Sequence, residues 1–165
     1  MASTPEEFAR VRSMIERMKV GMLTTQDSDG SLRSRPLHTL EADLDGRLWF
    51  FVSASSPKIE ELQREHGKVA LAYADPGRQD YLSVSGRGEL SRDRERMKKL
   101  WSPWVKVWFP QGLEDPDLAL LCVHIEQAEY WDAPGSAVQR AYGLAKARMM
   151  GDKDAIGENR KVRLA

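Results

Sequence analysis

The stretch "FFVSASSPKIEEL", residues 50–62, runs from an apolar strand through a serine-rich turn into a helix. Pro57 suits the first helical position, and Ile59 and Leu62 provide apolar side chains at helical spacing, so a strand that turns sharply into a helix is predicted. Lys58 falls in the first turn, where the helix dipole favours negative side chains over positive ones. The position of this lysine therefore needs an explanation.

An anion bound at the helix start would provide that explanation. Ser56 is a good N-cap residue, and the turn leaves backbone N–H groups free, with Ser53, Ser55, Ser56 and Lys58 around them. A phosphate there would receive N–H and hydroxyl donors and a cation together. The alternative is that Ser56 only caps the helix and Lys58 points into water, at a dipole cost of a few tenths of a kcal/mol, roughly.

A second basic feature lies upstream, in "SLRSRPL", residues 31–37. Two-residue alternation places Arg33 and Arg35 on one face of a strand, and Pro36 cannot donate to a ladder in a central strand. Two arginines on one strand face are commonly solvated. Together with Lys58, however, they offer the forked guanidinium partner that a phosphate prefers.

The remaining chain predicts short strands joined mainly by hairpin-sized turns. This pattern favours a mainly β (α+β) fold, an antiparallel six- to seven-stranded split β-barrel with flanking helices. "LALLCVHIEQAEYWDA" is expected to hold two strands, and "NRKVRLA", residues 159–165, is either a late strand or a loose tail. The other predicted elements are an amphipathic helix over residues 5–18 with Thr4 as N-cap, strands at 20–26, 31–40, 47–53, 68–75 and 81–91, and a charged helix near 92–101.

Composition limits the classes of function. The chain has 165 residues, with 25 basic and 25 acidic side chains, so one domain over residues 1–165 is expected and no net charge attracts nucleic acid or a membrane surface. Its single cysteine, Cys122, lies in an apolar strand and is expected to be an inert core thiol. Without a secretory or membrane-spanning pattern, the protein is expected to be cytoplasmic, with no membrane partner.

The histidines do not predict a metal site. His38, His66 and His124 are scattered, without a paired-cysteine motif or helical zinc spacing, so no metal is expected. His66 precedes Gly67 at a helix end, where a cation suits the dipole. His38 is expected either near a cofactor or packed in an interface.

The tryptophans support a rival function. Trp101, Trp104 and Trp108 fall near one helical face beside the charged run "SRDRERMKK", and small barrels with such residues can stack single-stranded nucleic acid. The basic excess of this run is small and the whole chain is neutral, so no nucleic acid is expected. Core or interface packing is the other interpretation of these side chains.

A resemblance emerges from the order of the motifs. "SRPLHTL", "LWFFVSASSPK", "KVALAYAD", "YLSVSGRGEL" and "EYWDAPGS" occur in the order typical of the pyridoxamine 5'-phosphate oxidase-like split-barrel flavoproteins. "LWSP", "WFPQGLEDPDLALL" and "AEYWD" resemble the general stress protein 26 branch of that family. The resemblance covers roughly residues 5–165.

The resemblance implies an FMN-binding domain, with FAD also possible, in a homodimer that holds the flavin at the subunit interface. It implies that Lys58 neutralises the FMN phosphate. The residues it matches to cofactor binding are Arg35, Pro36, Leu37, His38, Phe51, Val52, Ser53, Ser56, Lys58, Tyr81 and Trp131.

Departures from the oxidase pattern concern the substrate side. Leu40 stands where the oxidases carry a substrate-phosphate lysine, and "WDAPGSAVQRAY" does not match the arginine and histidine that follow their late tryptophan. Val52 replaces a common hydroxyl residue. The sequence therefore predicts a flavin-dependent oxidoreductase that is not a true pyridoxamine phosphate oxidase, or a flavin-binding stress protein that stores or senses flavin.

Overall fold

The computed structural model describes residues 4–64, 66–132, 144–146, 148–149 and 158–164. These residues form an antiparallel sheet with three flanking α-helices and two short 3-10 segments at Pro103–Val107 and Gly112–Glu114. The elements are α1 (Pro5–Met18), β1 (Val20–Gln26), β2 (Leu32–His38), β3 (Glu41–Ala42), β4 (Arg47–Ser53), α2 (Pro57–Arg64), β5 (Lys68–Asp75), β6 (Asp80–Ser91), α3 (Arg94–Leu100), β7 (Leu118–Asp132) and β8 (Glu158–Arg163).

The first helix begins with the capping box that the sequence predicts. The Thr4 hydroxyl accepts the Glu7 N–H at 3.2 Å, and the Glu7 carboxylate accepts the Thr4 N–H at 3.0 Å. Both bonds satisfy donors that a helix start leaves unpaired. Val11, Met14 and Ile15 form the buried face of the helix, so α1 closes over the barrel core.

The sheet follows the order β2-β1-β5-β6-β7-β4-β3, and β8 pairs with β7 beside that path. All the pairs are antiparallel. Seven of the described strands have six or more residues, and β3 has only two. The predicted six- to seven-stranded split barrel is thus confirmed. None of the described helices is long and apolar enough to cross a membrane.

The prediction of two strands within residues 118–133 is wrong, because β7 is one continuous strand of 15 residues. Its sequence has no glycine, proline or turn pair to interrupt it, so the chain runs straight on while its partners change. The first half pairs with β4 and the second half with β8, while β6 pairs along most of its length. The chain end, left open above as strand or tail, is the strand β8.

The alternation along β7 divides the apolar side chains between two clusters. Ala119, Leu121 and Val123 point into the barrel. Leu118, Leu120 and Cys122 point outward, where Trp49 and Met97 cover them. Cys122 is buried in a strand as predicted, and burial raises the pKa of its thiol to about 11.

Candidate functional site

A groove of about 540 Å³ opens where β2 and β4 end and α2 begins. β2 contributes Pro36, Leu37 and His38, β4 contributes Phe51, Val52 and Ser53, and α2 contributes Lys58. Seven of the eleven residues predicted to bind a cofactor therefore line one cavity. Leu40, which the resemblance matches to the substrate side, also lines the groove. Sequence reasoning did not assign the other walls to a cofactor site, and these are Val20, Trp104, Val105, Trp108, Phe109, Asp115 and Asp117.

Lys58 lies half-buried in the groove wall. Its ammonium group makes no ion pair or hydrogen bond with any of the described residues. Burial lowers the pKa of Lys58, the nearby Arg35 charge lowers it further, and Glu61 opposes both effects. The groove thus holds a cation whose charge the protein itself does not fully compensate.

Arg35 lies behind the groove wall instead of lining it. Its guanidinium donates to Glu61 Oε2 at 3.0 Å and to the Thr25 hydroxyl, which also donates to Glu61. Glu61 is only 3 % exposed, so this pair keeps a buried carboxylate satisfied. Arg33, on the same strand, pairs with Asp27 at 2.8 Å and is not part of the groove.

The serine turn makes contacts that the sequence did not indicate. Asp117, at the start of β7, accepts from the Ser53 hydroxyl and from both the N–H and the hydroxyl of Ser55, the latter two at 2.9 and 2.8 Å. These bonds lower the pKa of Asp117. Two serines that were expected around an anion thus already face an internal carboxylate.

Ser56 directly precedes α2 and was predicted to cap it. The structure contradicts this prediction, because the Ser56 hydroxyl accepts no helix N–H. It donates to the Ser53 carbonyl oxygen at 2.7 Å, and only its own carbonyl oxygen accepts a helix N–H, from Ile59 at 2.9 Å. The reason is the tight turn at residues 53–56, which places that carbonyl oxygen closer than the helix donors. The first-turn N–H groups therefore receive no side-chain cap from Ser56.

The three tryptophans that suggested nucleic acid divide between two places, since Trp104 and Trp108 line the groove and Trp101 packs in the outer cluster. Trp101 packs edge-on against Phe51 at a ring-centroid distance of 5.6 Å, in the cluster beneath α3. Trp104 lies 4.5 Å from the His38 ring, and Trp108 is 73 % exposed at the groove. The prediction that they share one helical face is wrong, because α3 ends at Leu100, before all three tryptophans. They do not form a single stacking platform.

His38 is a titratable residue of the groove and lies beside the Trp104 ring. Burial lowers its pKa, and the charge of Lys19 adds to that effect. His38 is therefore neutral at pH 7 and able to donate or accept a hydrogen bond within the groove.

Tyr81 and Trp131 do not line the groove. They face each other across β6 and β7 and are 42 % and 39 % exposed. Neither residue is among those that surround Lys58 and His38 in one subunit. Their predicted approach to a cofactor would require a second subunit.

The curled antiparallel sheet and its groove define a split-barrel protein. A family profile described as "Pyridoxamine 5'-phosphate oxidase like" matches residues 6–154. The chain belongs to the pyridoxamine 5'-phosphate oxidase-like family.

Individual proteins are also similar to this chain. Protein bli-3 of Neurospora crassa is 27 % identical over 161 residues, which cover 91 % of this chain and 76 % of the relative. The general stress FMN/FAD binding protein of Xanthomonas citri has a TM-score of 0.67 at 29 % identity, covering 81 % of this chain and 93 % of that one. A candidate general stress protein 26 from Jannaschia sp. CCS1 has a TM-score of 0.76 at 24 % identity, covering 97 % and 99 %.

Proposed function

We propose that this chain is a single flavin-binding domain that holds FMN in the groove, with the phosphate at Lys58. The observation that carries this proposal is the half-buried, uncompensated lysine at one end of an aromatic-lined cavity. The Xanthomonas citri protein, which shares the fold and is named for FMN/FAD binding, supports the same conclusion.

The groove residues suit the two chemically different parts of FMN. Pro36, Leu37, Phe51 and Val52 offer apolar surface for a flat ring system, and neutral His38 offers a hydrogen bond at its edge. When bound, the flavin would supply the hydride or electron chemistry itself. The role of the chain is then to hold the ring, fix its orientation and exclude water from one face.

Lys58 would hold the phosphate, and Arg35 would add its charge from behind the groove wall. Ser56 would assist by turning its hydroxyl from the Ser53 carbonyl oxygen to the phosphate. Lys58 and Arg35 bring two positive charges, and the buried Glu61 offsets one of them. An anion near Lys58 would replace hydration that the lysine has lost, and charge-assisted hydrogen bonds of this kind contribute about 1.5–3 kcal/mol each. Asp117 would repel a phosphate on the other side of the serine turn. The phosphate is therefore expected on the side of Lys58 and Arg35.

A homodimer would complete the site with Tyr81 and Trp131 of the partner subunit. The outer face of β1, β5 and β6 supports this proposal because its exposed middle part carries no charged side chain. The exposed side chains of that part are Val20, Met22, Ala70, Ala72, Ala74, Tyr81, Ser83 and Ser85, and Lys68 and Arg87 lie opposite each other at one end of the face. A face of this composition is typical of a buried contact and not of a solvated surface.

Oxidation of pyridoxamine 5'-phosphate is not part of the proposed function. Leu40 lines the groove, so the position matched to a substrate-phosphate lysine is apolar. Two arginines near the C-terminus could in principle replace that lysine, but Arg148 is exposed and does not line the groove, and Arg140 lies outside the described residues. A substrate phosphate would lose its hydration without a partner, at a cost of several kcal/mol by typical burial penalties.

Oxidoreductase activity toward another substrate is proposed second, with storage or sensing of flavin as the alternative. The exposed Trp108 beside the groove offers a surface for a second reactant. Stopped-flow mixing of the FMN-loaded protein with NADH or NADPH distinguishes an oxidoreductase from a protein that stores or senses flavin. Reduction faster than that of free FMN indicates an oxidoreductase, and reduction no faster indicates storage. The choice between FMN and FAD, and the cytoplasmic location, stay predictions.

The test of the phosphate assignment is the substitution Lys58→Ala, with Lys98→Ala as the matched control because Lys98 is exposed on α3 and lines neither the groove nor the outer face of β1, β5 and β6. Loss of one charge-assisted contact should weaken FMN binding by about ten- to a hundredfold. Riboflavin, which lacks the phosphate, should bind Lys58→Ala and the wild type alike. Equal weakening of FMN and riboflavin would show that Lys58 does not hold the phosphate.

A further inference from the structure

Three side chains with metal-binding atoms converge on the outer face of β6 and β7. Cys122 and His124 are two residues apart on β7 and therefore point to the same side of the sheet. Glu89 lies directly opposite Cys122 on β6, so its carboxylate reaches the same face. Antiparallel pairing thus joins a thiol, an imidazole and a carboxylate.

The distances within this group are those of a common centre. Cys122 Sγ lies 3.7 Å from His124 Nε2, and Nε2 lies 2.9 Å from Glu89 Oε1. The three donor atoms all lie within 4.8 Å of one another. The thiol and the carboxylate both contact Nε2 of His124. In a catalytic triad the nucleophile and the carboxylate bind different ring nitrogens, so this arrangement is not that of a triad.

We propose that Glu89, Cys122 and His124 bind one divalent transition-metal ion, with Zn²⁺ the best match. Tetrahedral zinc with ordinary bond lengths separates sulfur from nitrogen by about 3.6 Å and nitrogen from oxygen by about 3.4 Å. The sulfur and nitrogen already have this spacing. The exposed Glu89 side chain would move outward by roughly half an ångström.

The charges around the site are compatible with a cation. Burial keeps the free Cys122 thiol protonated, so binding of the metal would release that proton to solvent. The resulting thiolate and the Glu89 carboxylate together neutralise a divalent ion, and neutral imidazole adds a borderline-soft ligand. The nearby Arg47 pairs with Asp43 and Asp45, and Arg87 pairs with Glu126. These guanidinium charges are compensated locally and do not dominate the field at the site.

The fourth coordination position would face a groove separate from the flavin groove. Glu89 and His124 line this second cavity of about 580 Å³ together with His66, Arg87 and Glu126. It shares no lining residue with the groove at Lys58. A metal site here is independent of the proposed flavin function, and three protein ligands leave room for a water or a small exogenous ligand.

Cobalt and zinc titrations of the full chain test the proposal. Co²⁺ should give a thiolate-to-metal charge-transfer band, and excess Zn²⁺ should abolish it. His124→Gln, an exposed substitution that leaves the core intact, should weaken Zn²⁺ binding by at least about tenfold, since even the loss of an outer-sphere partner has that effect. Cys122→Ser should remove the band, with circular dichroism checking that the variant is folded.

His66→Gln is the matched control, because His66 lines the same cavity but is not in the group of three. It should leave both the cobalt band and the zinc affinity unchanged. No charge-transfer band in the wild type, or an equal loss of zinc affinity in His66→Gln and His124→Gln, would overturn the proposal. FMN binding should be the same in all of these variants, so failure here is distinct from failure of the flavin assignment.

Discussion

At the scale of the residue, the account depends on the charge of Lys58. A lysine in the first turn of α2 opposes the helix dipole, and burial and Arg35 lower its pKa further. Each of these effects disfavours the charged form in the free protein. A bound dianion would reverse the balance, so the cost of placing the lysine there is recovered only in the complex.

This reasoning predicts a pH dependence. FMN requires the charged form of Lys58, so FMN affinity should fall as pH rises through the lysine pKa, which burial and Arg35 hold below its ordinary value. Riboflavin affinity measured in parallel corrects for ionisation of the flavin ring, so the FMN-to-riboflavin ratio is the quantity to follow. In Lys58→Arg, which keeps its charge as the pH rises, the ratio should stay constant. A ratio that does not change with pH in the wild type would contradict the role of Lys58.

At the scale of the element, the pairing of β6 with β7 depends on Gly86. The register shifts between Ser85 and Gly86, where β7 contains an additional residue. A Cβ atom at Gly86 would lie 2.0 Å from the His124 carbonyl oxygen, which is a backbone atom and cannot rotate away. Only glycine allows the two strands to approach this closely.

Gly86→Ala should therefore lower the free energy of unfolding by about 2 kcal/mol or more, as other overpacked sites do. Gly77→Ala is the control, since a Cβ there meets only the Asp75 side chain at 3.6 Å. Urea denaturation measures both. Equal stability of the two variants would show that the strands can separate locally and that the close approach is not required.

The elements were largely predictable from sequence, whereas the contacts between distant elements were not. Caps, turns and alternation are local signals, and they predict α1, the hairpins and the turn before Lys58. The acceptors Asp117 and Glu61 were missed because folding, and not sequence spacing, brings them to Ser53 and Arg35. A usable signal did exist for part of the proposed metal site, since a Cys-x-His spacing in a strand places both side chains on one face.

At the scale of the whole molecule, the predicted homodimer is based on the outer face of β1, β5 and β6, whose middle part exposes small and apolar side chains. Tyr81 and Trp131 lie on the outside of the barrel, away from their own groove. In a homodimer they would reach the partner's flavin, which accounts for aromatic side chains left in contact with water.

Ala72→Arg should dissociate this dimer, because Ala72 is exposed at the centre of the face and a buried unpaired charge is costly. Sedimentation should show two subunits in the wild type, with and without FMN, and a monomer in the variant. Ala9→Arg, on the exposed side of α1, should remain dimeric. Weaker FMN binding in Ala72→Arg alone would support a shared site, and a wild-type monomer at micromolar concentration would contradict it.

The most direct measurement of the central claim is an equilibrium titration of the wild-type protein with FMN and, separately, riboflavin, followed by flavin fluorescence. The account predicts saturation at about one equivalent of FMN per subunit and affinity for FMN about ten- to a hundredfold above that for riboflavin. Fluorescence of FMN that does not change on addition of protein, or equal affinity for the two flavins, would contradict the claim that this groove holds a flavin phosphate.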